Sequence, residues 1–257
     1  MGSPVVHFGI GAADDARLVA FYGELFGWDL QSFFGGYTMI DTRGGSGVNG
    51  GISKSQNGAP WSAFYVETND LQATLDKANS LGGATAVPVT DLAGAVTIAM
   101  FNDPDGLQVG LVRAAAEPAQ GNEPGPSAGS GEPVTWFEVV GPDAARTQRF
   151  YADLFGWTVD SSAFPGYATV DTGTSRGIQG GLGGGVGTRW ATIYAKVADT
   201  DQTLSRAEKL GGSRISDPAV PELKSAARAA IYGSANDRMK TGAFRDPAGN
   251  VFGIFNY

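Results

Sequence analysis

The 257-residue chain has no cysteine and a single histidine, His7. The first absence excludes disulfides, zinc ribbons, iron–sulfur clusters and thiol nucleophiles together. The second excludes any site that needs two or more imidazoles from one chain. Basic residues are also scarce: 18 Lys and Arg stand against 26 Asp and Glu, a formal charge of −8. Such a surface repels phosphate backbones, so nucleic acid is not expected as a partner. No apolar run approaches the roughly 20 residues of a membrane span. Met1 to Ile10 lacks the basic n-region of a secretory signal. A cytoplasmic protein without a membrane partner is expected.

What the chain has in abundance is glycine, 39 residues, and repetition. Phe21-Tyr22 recurs as Phe150-Tyr151, and Leu25-Phe26-Gly27-Trp28 as Leu154-Phe155-Gly156-Trp157, both at an offset of 129. Trp61 matches Trp190 and Leu81-Gly82-Gly83 matches Leu210-Gly211-Gly212 at the same offset. Asp103-Pro104-Asp105-Gly106 returns as Asp246-Pro247-Ala248-Gly249 at 143, so the second copy carries about fourteen extra residues before its last strand. A long internal repeat of this kind means two homologous domains, placed at 1–113 and 134–257. Residues 114–133, rich in Pro, Gly, Ser and Glu without apolar periodicity, read as a flexible linker.

Each copy divides again. A β-type run, Val5–Ile10, precedes a helical stripe of Leu18, Phe21, Tyr22, Leu25 and Phe26. Asp14 or Asp15 can cap its start and Gly27 can end it in a left-handed conformation. Short strands follow around 28–34, 37–41 and 48–52. The pattern restarts with a strand at 61–68, a helix striped by Leu71, Leu75, Ala78 and Leu81, and strands at 85–89, 96–101 and 107–112. Each half-domain is βαβββ, which predicts an α+β fold with four such units.

Four βαβββ units in tandem, FYxxLFGW after the first strand, LGG closing the second helix and a DPxG turn before the last strand resemble the vicinal oxygen chelate superfamily. That superfamily holds glyoxalases, bleomycin-resistance proteins and extradiol dioxygenases. The resemblance implies that each domain pairs its two units into a curved mixed sheet around a cleft. In metal-dependent members a divalent ion sits in the cleft, held by His on first strands and by Glu on last strands. His7 falls at the first-strand position, but its counterpart in the second copy is Trp136. The last-strand positions read Gly51, Gly110, Gly181 and Gly253, each before an aliphatic residue where Glu would stand. No metal and no cofactor is therefore expected, and His7 reads as a packed or hydrogen-bonded cleft residue. The alternative is a metal-dependent lyase or ring-cleaving dioxygenase with ligands elsewhere.

Glycines in strands admit close approach to the backbone. With Gly51, Gly110, Gly181 and Gly253 as a floor, widened clefts walled by Trp61, Tyr65, Phe101, Trp136, Trp190 and Tyr194 would suit a flat apolar molecule. Packing of the sheet against its helices is the other reading of each aromatic. Strand parity puts Glu138 on the face of Trp136, where desolvation would raise its pKa and equip it for proton transfer. A structural anchor is its other reading. The insertion around 231–242 brings Tyr232, Asp237, Arg238 and Lys240, either as a lid or anion contact or as a surface loop. The DPDG and DPAG segments read as tight turns, and Arg17 and Arg146 as structural ion pairs or exposed positions. The expected function is binding of a small aromatic or polyketide-like molecule in a metal-free cleft. Either sequestration is its whole purpose, or Glu138 performs acid/base chemistry on the ligand. Oligomeric state is not legible.

Overall fold

The computed structural model describes residues 2–92, 94–114, 126–164, 166–185, 189–215 and 240–256. The first half forms β1 (Val5–Ala12), α1 (Asp15–Phe26), β2 (Asp29–Ser32), β3 (Thr38–Asp41) and β4 (Asn49–Lys54). It continues with β5 (Trp61–Thr68), α2 (Leu71–Ser80), β6 (Ala84–Leu92), β7 (Val96–Asn102) and β8 (Gln108–Arg113). The second half repeats the series as β9 (Val134–Gly141), α3 (Ala144–Phe155), β10 (Thr158–Phe164), β11 (Tyr167–Asp171) and β12 (Gln179–Gly184). Then come β13 (Trp190–Lys196), α4 (Thr200–Lys209), β14 (Ser213–Arg214), β15 (Lys240–Arg245) and β16 (Val251–Asn256). The four βαβββ units are those the periodicity predicts.

Helix ends follow the local chemistry. Asp14 and Asp143 accept from the backbone N–H of Arg17 and Arg146, satisfying donors that an α-helix leaves free in its first turn. Gly27 and Gly156 close the same two helices at φ 66° and 70°, where a side chain would be strained.

Each half makes one eight-stranded mixed sheet, ordered β2-β3-β4-β1-β5-β8-β7-β6 and β10-β11-β12-β9-β13-β16-β15-β14. The two units of a half meet at the antiparallel centre, β1 against β5 and β9 against β13.

The halves share a single core, because each leading helix lies on its own sheet and also sets its rings against those of the other half. Phe21 and Tyr22 of α1 meet Phe244 and Phe252 at ring distances of 5.8 and 5.4 Å. Phe150 and Phe155 of α3 meet Phe101 at 6.1 and 6.3 Å. Phe64 and Phe137 join the sheet centres at 4.8 Å. Burying such a ring is worth roughly 1.5–3 kcal/mol, and neither sheet could cover these rings alone.

The two DPxG segments do more than turn. Gly106 and Gly249 take positive φ as expected, but the leading aspartates are buried at the junction. Asp246 accepts from the Tyr22 hydroxyl and Asp103 from that of Tyr151, both at 3.1 Å. Burial pushes the Asp103 carboxyl up, and both tyrosines are raised well above the ordinary phenol range by burial and by their carboxylate partners.

Of the expected linker, 126–133 runs beside the β3–β4 turn, where the Ser127 amide donates to Asp41. Residues 115–125 lie outside the described set, as does most of the expected insertion, including Tyr232, Asp237 and Arg238. Its last residues, 240–242, begin β15.

Candidate functional site

Strand parity divides each sheet into a core face and an outer face. Phe8, Ile10, Phe64, Phe137 and Val139 point into the shared core. The alternate residues form the outer face. In the first sheet, register pairs His7 with Tyr65, Gly9 with Ala63 and Gly11 with Trp61. In the second it pairs Trp136 with Tyr194, Glu138 with Thr192 and Val140 with Trp190. The four glycines at the family's carboxylate positions fall on the same faces: Gly51 beside Gly9, Gly110 beside Tyr65, Gly181 beside Glu138 and Gly253 beside Tyr194.

Those glycines do not widen the clefts, contrary to the sequence expectation. Each is covered by a tyrosine. A Cβ at Gly51 or Gly181 would sit 2.0 or 1.8 Å from the hydroxyl of Tyr37 or Tyr167. At Gly110 or Gly253 it would sit 2.3 Å from the ring of Tyr65 or Tyr194. An aromatic ring over a strand glycine recovers the packing that the missing side chain forfeits. The volume a ligating Glu would take is thus already filled. Tyr37 and Tyr167 were missed from sequence, although Gly36-Tyr37 recurs as Gly166-Tyr167 at an offset of 130, matching that of Gly51 and Gly181.

Phe101 needs correction too. Its neighbour Met100 pairs with Gly110 and packs with Ala63 and Tyr65 on the outer face. One residue on, Phe101 therefore points the other way, fully buried against α3.

The outer face of the second sheet gathers a buried carboxylate and four aromatic side chains. Glu138, 5% exposed, accepts from Tyr194 Oη at 2.7 Å and Trp190 Nε1 at 2.9 Å, both at Oε2. Burial pushes its carboxyl above the ordinary 4.5, opposed by these hydrogen bonds and by the nearby Tyr167 hydroxyl. The charge of Glu138 in turn helps to raise Tyr167 and Tyr194. Tyr167 Oη lies close enough to Glu138 and to Trp136 Nε1 to be influenced by both. Neither Tyr167 Oη nor Trp136 Nε1 meets an acceptor in hydrogen-bond geometry, and both atoms are buried. The arrangement can hold or move a proton at Oε1 or Oε2 of Glu138, in surroundings that disfavour its charge.

The outer face of the first sheet is built on the same frame with a different centre. His7 Nε2 lies 2.8 Å from the Tyr37 hydroxyl, with Tyr65 edge-on at 5.8 Å. Burial lowers the imidazole to about 4, so it is neutral at physiological pH. Where the second sheet carries Glu138, this one has Gly9, and a Cβ there would meet Trp61 and Tyr65 within 3.1 Å.

A divalent ion of the family type needs several O or N donors converging on one point. Among the described residues no group of three or more His, Asp or Glu is so arranged. His7 has Tyr37 for its neighbour, and tyrosine rings stand over all four glycines. The residues present do not fit that metal.

The expected pair of arginines divides. Arg146 is ion-paired with Asp105, whereas Arg17 is exposed. A recess of about 190 Å³ lies beside Arg17, lined also by Ala12, Pro60, Pro247 and Ala248, away from both outer faces.

With four βαβββ units paired into two mixed sheets, the chain matches the glyoxalase/bleomycin resistance protein/dioxygenase superfamily in its first half and a bleomycin resistance protein-like model in its second. The model of that superfamily matches residues 5–111, and that of the bleomycin resistance protein-like N-terminal region matches 134–173. The anthracycline biosynthesis protein DauV of Streptomyces sp. (strain C5) is 28% identical, covering 82% of this chain and 83% of its own. The putative glyoxylase CFP32 of Mycobacterium tuberculosis is 27% identical over 94% and 90%. Among solved structures, the Mn(II)-bound glyoxalase from Novosphingobium aromaticivorans has a TM-score of 0.62 at 15% identity, covering 99% of this chain and 83% of that one. The 2,2',3-trihydroxybiphenyl 1,2-dioxygenase of Sphingomonas wittichii strain RW1 has 0.57 at 16%, covering 100% and 91%. At such identities the structural likeness speaks for the fold alone.

Proposed function

We propose that the chain binds a small aromatic, polyketide-like molecule against the outer face of its second sheet. It acts there without a metal, through proton transfer by Glu138. The observation that carries this reading is a carboxylate 5% exposed, held at one oxygen by Trp190 and Tyr194 and pushed up in pKa by burial. Trp190 and Tyr194, partly exposed, offer flat apolar surface to a flat ligand, and a proton-transfer group works best with its pKa moved toward the operating pH. The similarity to an anthracycline biosynthesis protein supports the same ligand class. No helix of the described residues is long and apolar enough to cross a membrane.

The test uses two probes. Titration with 1,8-dihydroxyanthraquinone, followed by quenching of tryptophan fluorescence, should saturate and weaken at least about tenfold in Trp190→Ala, as loss of an aromatic anchor predicts. The protein should also catalyse deuterium exchange at the acidic methylene of 1,8-dihydroxyanthrone under anaerobic conditions. Glu138→Gln should abolish that exchange while leaving binding in place. Absence of saturable quenching refutes the ligand class. Undiminished exchange in Glu138→Gln removes the carboxylate from the chemistry and leaves sequestration as the function.

A further inference from the structure

Buried phenol and indole groups ordinarily find acceptors, because an unpaired donor removed from water is costly. Tyr167 Oη and Trp136 Nε1 depart from that rule together and in one place. Tyr167 is 1% exposed and Trp136 8%, and neither polar atom has a partner in hydrogen-bond geometry. Their location follows from the register. The Tyr167 hydroxyl lies over Gly181, which pairs directly with Glu138, and Trp136 stands two residues before Glu138 on the same face. Tyr167 Oη thus sits near both Glu138 and Trp136 Nε1 without hydrogen-bond geometry to either, beside a carboxylate whose well-aligned donors, Trp190 and Tyr194, both go to Oε2.

We propose that Tyr167 Oη and Trp136 Nε1 form a two-donor site for a carbonyl oxygen of the ligand, making a ketone or quinone the class recognised. This rests on the reading of the second outer face as the ligand site and adds the feature by which it selects. A neutral acceptor is favoured over a carboxylate or phosphate because Glu138, when ionised, repels an anion at this distance. A carbonyl presents two lone pairs in one plane and can take both donors. The first outer face offers no such pair: at the place of Trp136 stands His7, which is engaged with Tyr37. The partly exposed Trp190 and Tyr194 are the side chains past which the ligand enters.

A matched pair of probes tests this: 1,8-dihydroxyanthraquinone and 1,8-dihydroxyanthracene, which has the same ring frame and hydroxyls without the quinone oxygens. The wild-type protein should bind the quinone about tenfold or more tightly, the discrimination expected of two ordinary hydrogen bonds. Tyr167→Phe keeps the ring over Gly181, and Trp136→Phe keeps an aromatic wall. Each should lower the preference several-fold by weakening the quinone alone. The carbonyl stretch of the bound quinone should move to lower frequency in wild type and recover in Tyr167→Phe. Tyr37→Phe, in the other sheet, should leave the preference unchanged. Equal affinity for the two probes, or a preference that survives in Tyr167→Phe, overturns the two-donor site while leaving aromatic binding intact. Collapse of the preference in Tyr37→Phe moves the site to the first sheet and overturns it as well. Failure of both probes to bind refutes the underlying ligand reading, and this proposal with it.

Discussion

The two outer faces form a controlled comparison within one chain. Both keep a tyrosine over each strand glycine: Tyr37 and Tyr65 in the first sheet, Tyr167 and Tyr194 in the second. Both keep a tryptophan at the start of the central hairpin partner, Trp61 and Trp190. They differ at three positions of the first strand, where Gly11 also answers to Val140. His7 and Gly9 in one sheet stand where Trp136 and Glu138 stand in the other. The frame is what both sheets need for packing, since a strand glycine without a covering ring leaves a void. Polar chemistry changes at the first strand and at its partner position, where Ala63 becomes Thr192. The first sheet holds a neutral imidazole bonded to Tyr37, the second a carboxylate with two donors.

The largest way to break the comparison is to fill the space beneath a covering ring. Gly253→Ala places a methyl group 2.3 Å from the Tyr194 ring, and Gly110→Ala does the same beneath Tyr65. Each should cost about 3 kcal/mol by forcing the ring aside, the upper part of the range for overpacked cores. Equilibrium denaturation measures it. The Gly253→Ala/Tyr194→Ala double variant should recover part of the loss, so additive effects would show that ring and glycine are not coupled.

Next in size is a pair of pH dependences of opposite sign. His7 has its folded pKa lowered from 6.5 to about 4. The unfolded chain therefore binds more protons across that window. Its contribution is fully present above 6.5 and is lost as pH falls toward 4. Glu138 has its folded pKa raised above 4.5. Its contribution is fully present below 4.5 and is lost as pH rises through the folded value. Denaturation midpoints taken across this range should show His7→Gln removing an acid-side loss of stability. Glu138→Gln should gain on wild type as pH rises. Profiles parallel to wild type in both variants would mean that neither group is held as described.

The smallest effect concerns the junction beneath the leading helices. Asp105 pairs with Arg146, but Ala248 occupies the corresponding place near Arg17 and leaves a recess of about 190 Å³. Ala248→Asp should restore the symmetry and stabilise by at most about 1 kcal/mol, since the Arg17 end is exposed to solvent and screened. A thermal melt at low and high salt would detect it. A gain that does not shrink with salt would argue against an ion pair.

Much of this molecule was legible in one dimension. Offsets of 129 reveal the duplication because homologous copies keep helix stripes and caps in step. The period of 3.6 locates α1 between its Asp14 cap and Gly27, and the period of two puts Glu138 on the face of Trp136. Phe101 was misassigned because parity along a strand is fixed only once one residue's face is known, and a one-residue error turns the side chain over. Tyr37 and Tyr167 were overlooked because their partners, Gly51 and Gly181, are fourteen residues away, and a strand pattern carries no signal for what covers a glycine.

By itself, then, the sequence determined four βαβββ units, their caps, and the absence of carboxylates from the positions where metal-dependent relatives carry them. Those properties are local or are repeated, so they can be read from spacing. Only the tertiary structure decided that each leading helix joins its own sheet to the rings of the other half, that Asp103 and Asp246 bury themselves against tyrosines of the opposite half, and that tyrosines fill the space above the glycines. These outcomes depend on which apolar faces meet and on how burial without water prices each donor and charge. Such quantities arise only when residues distant in the chain share one interior.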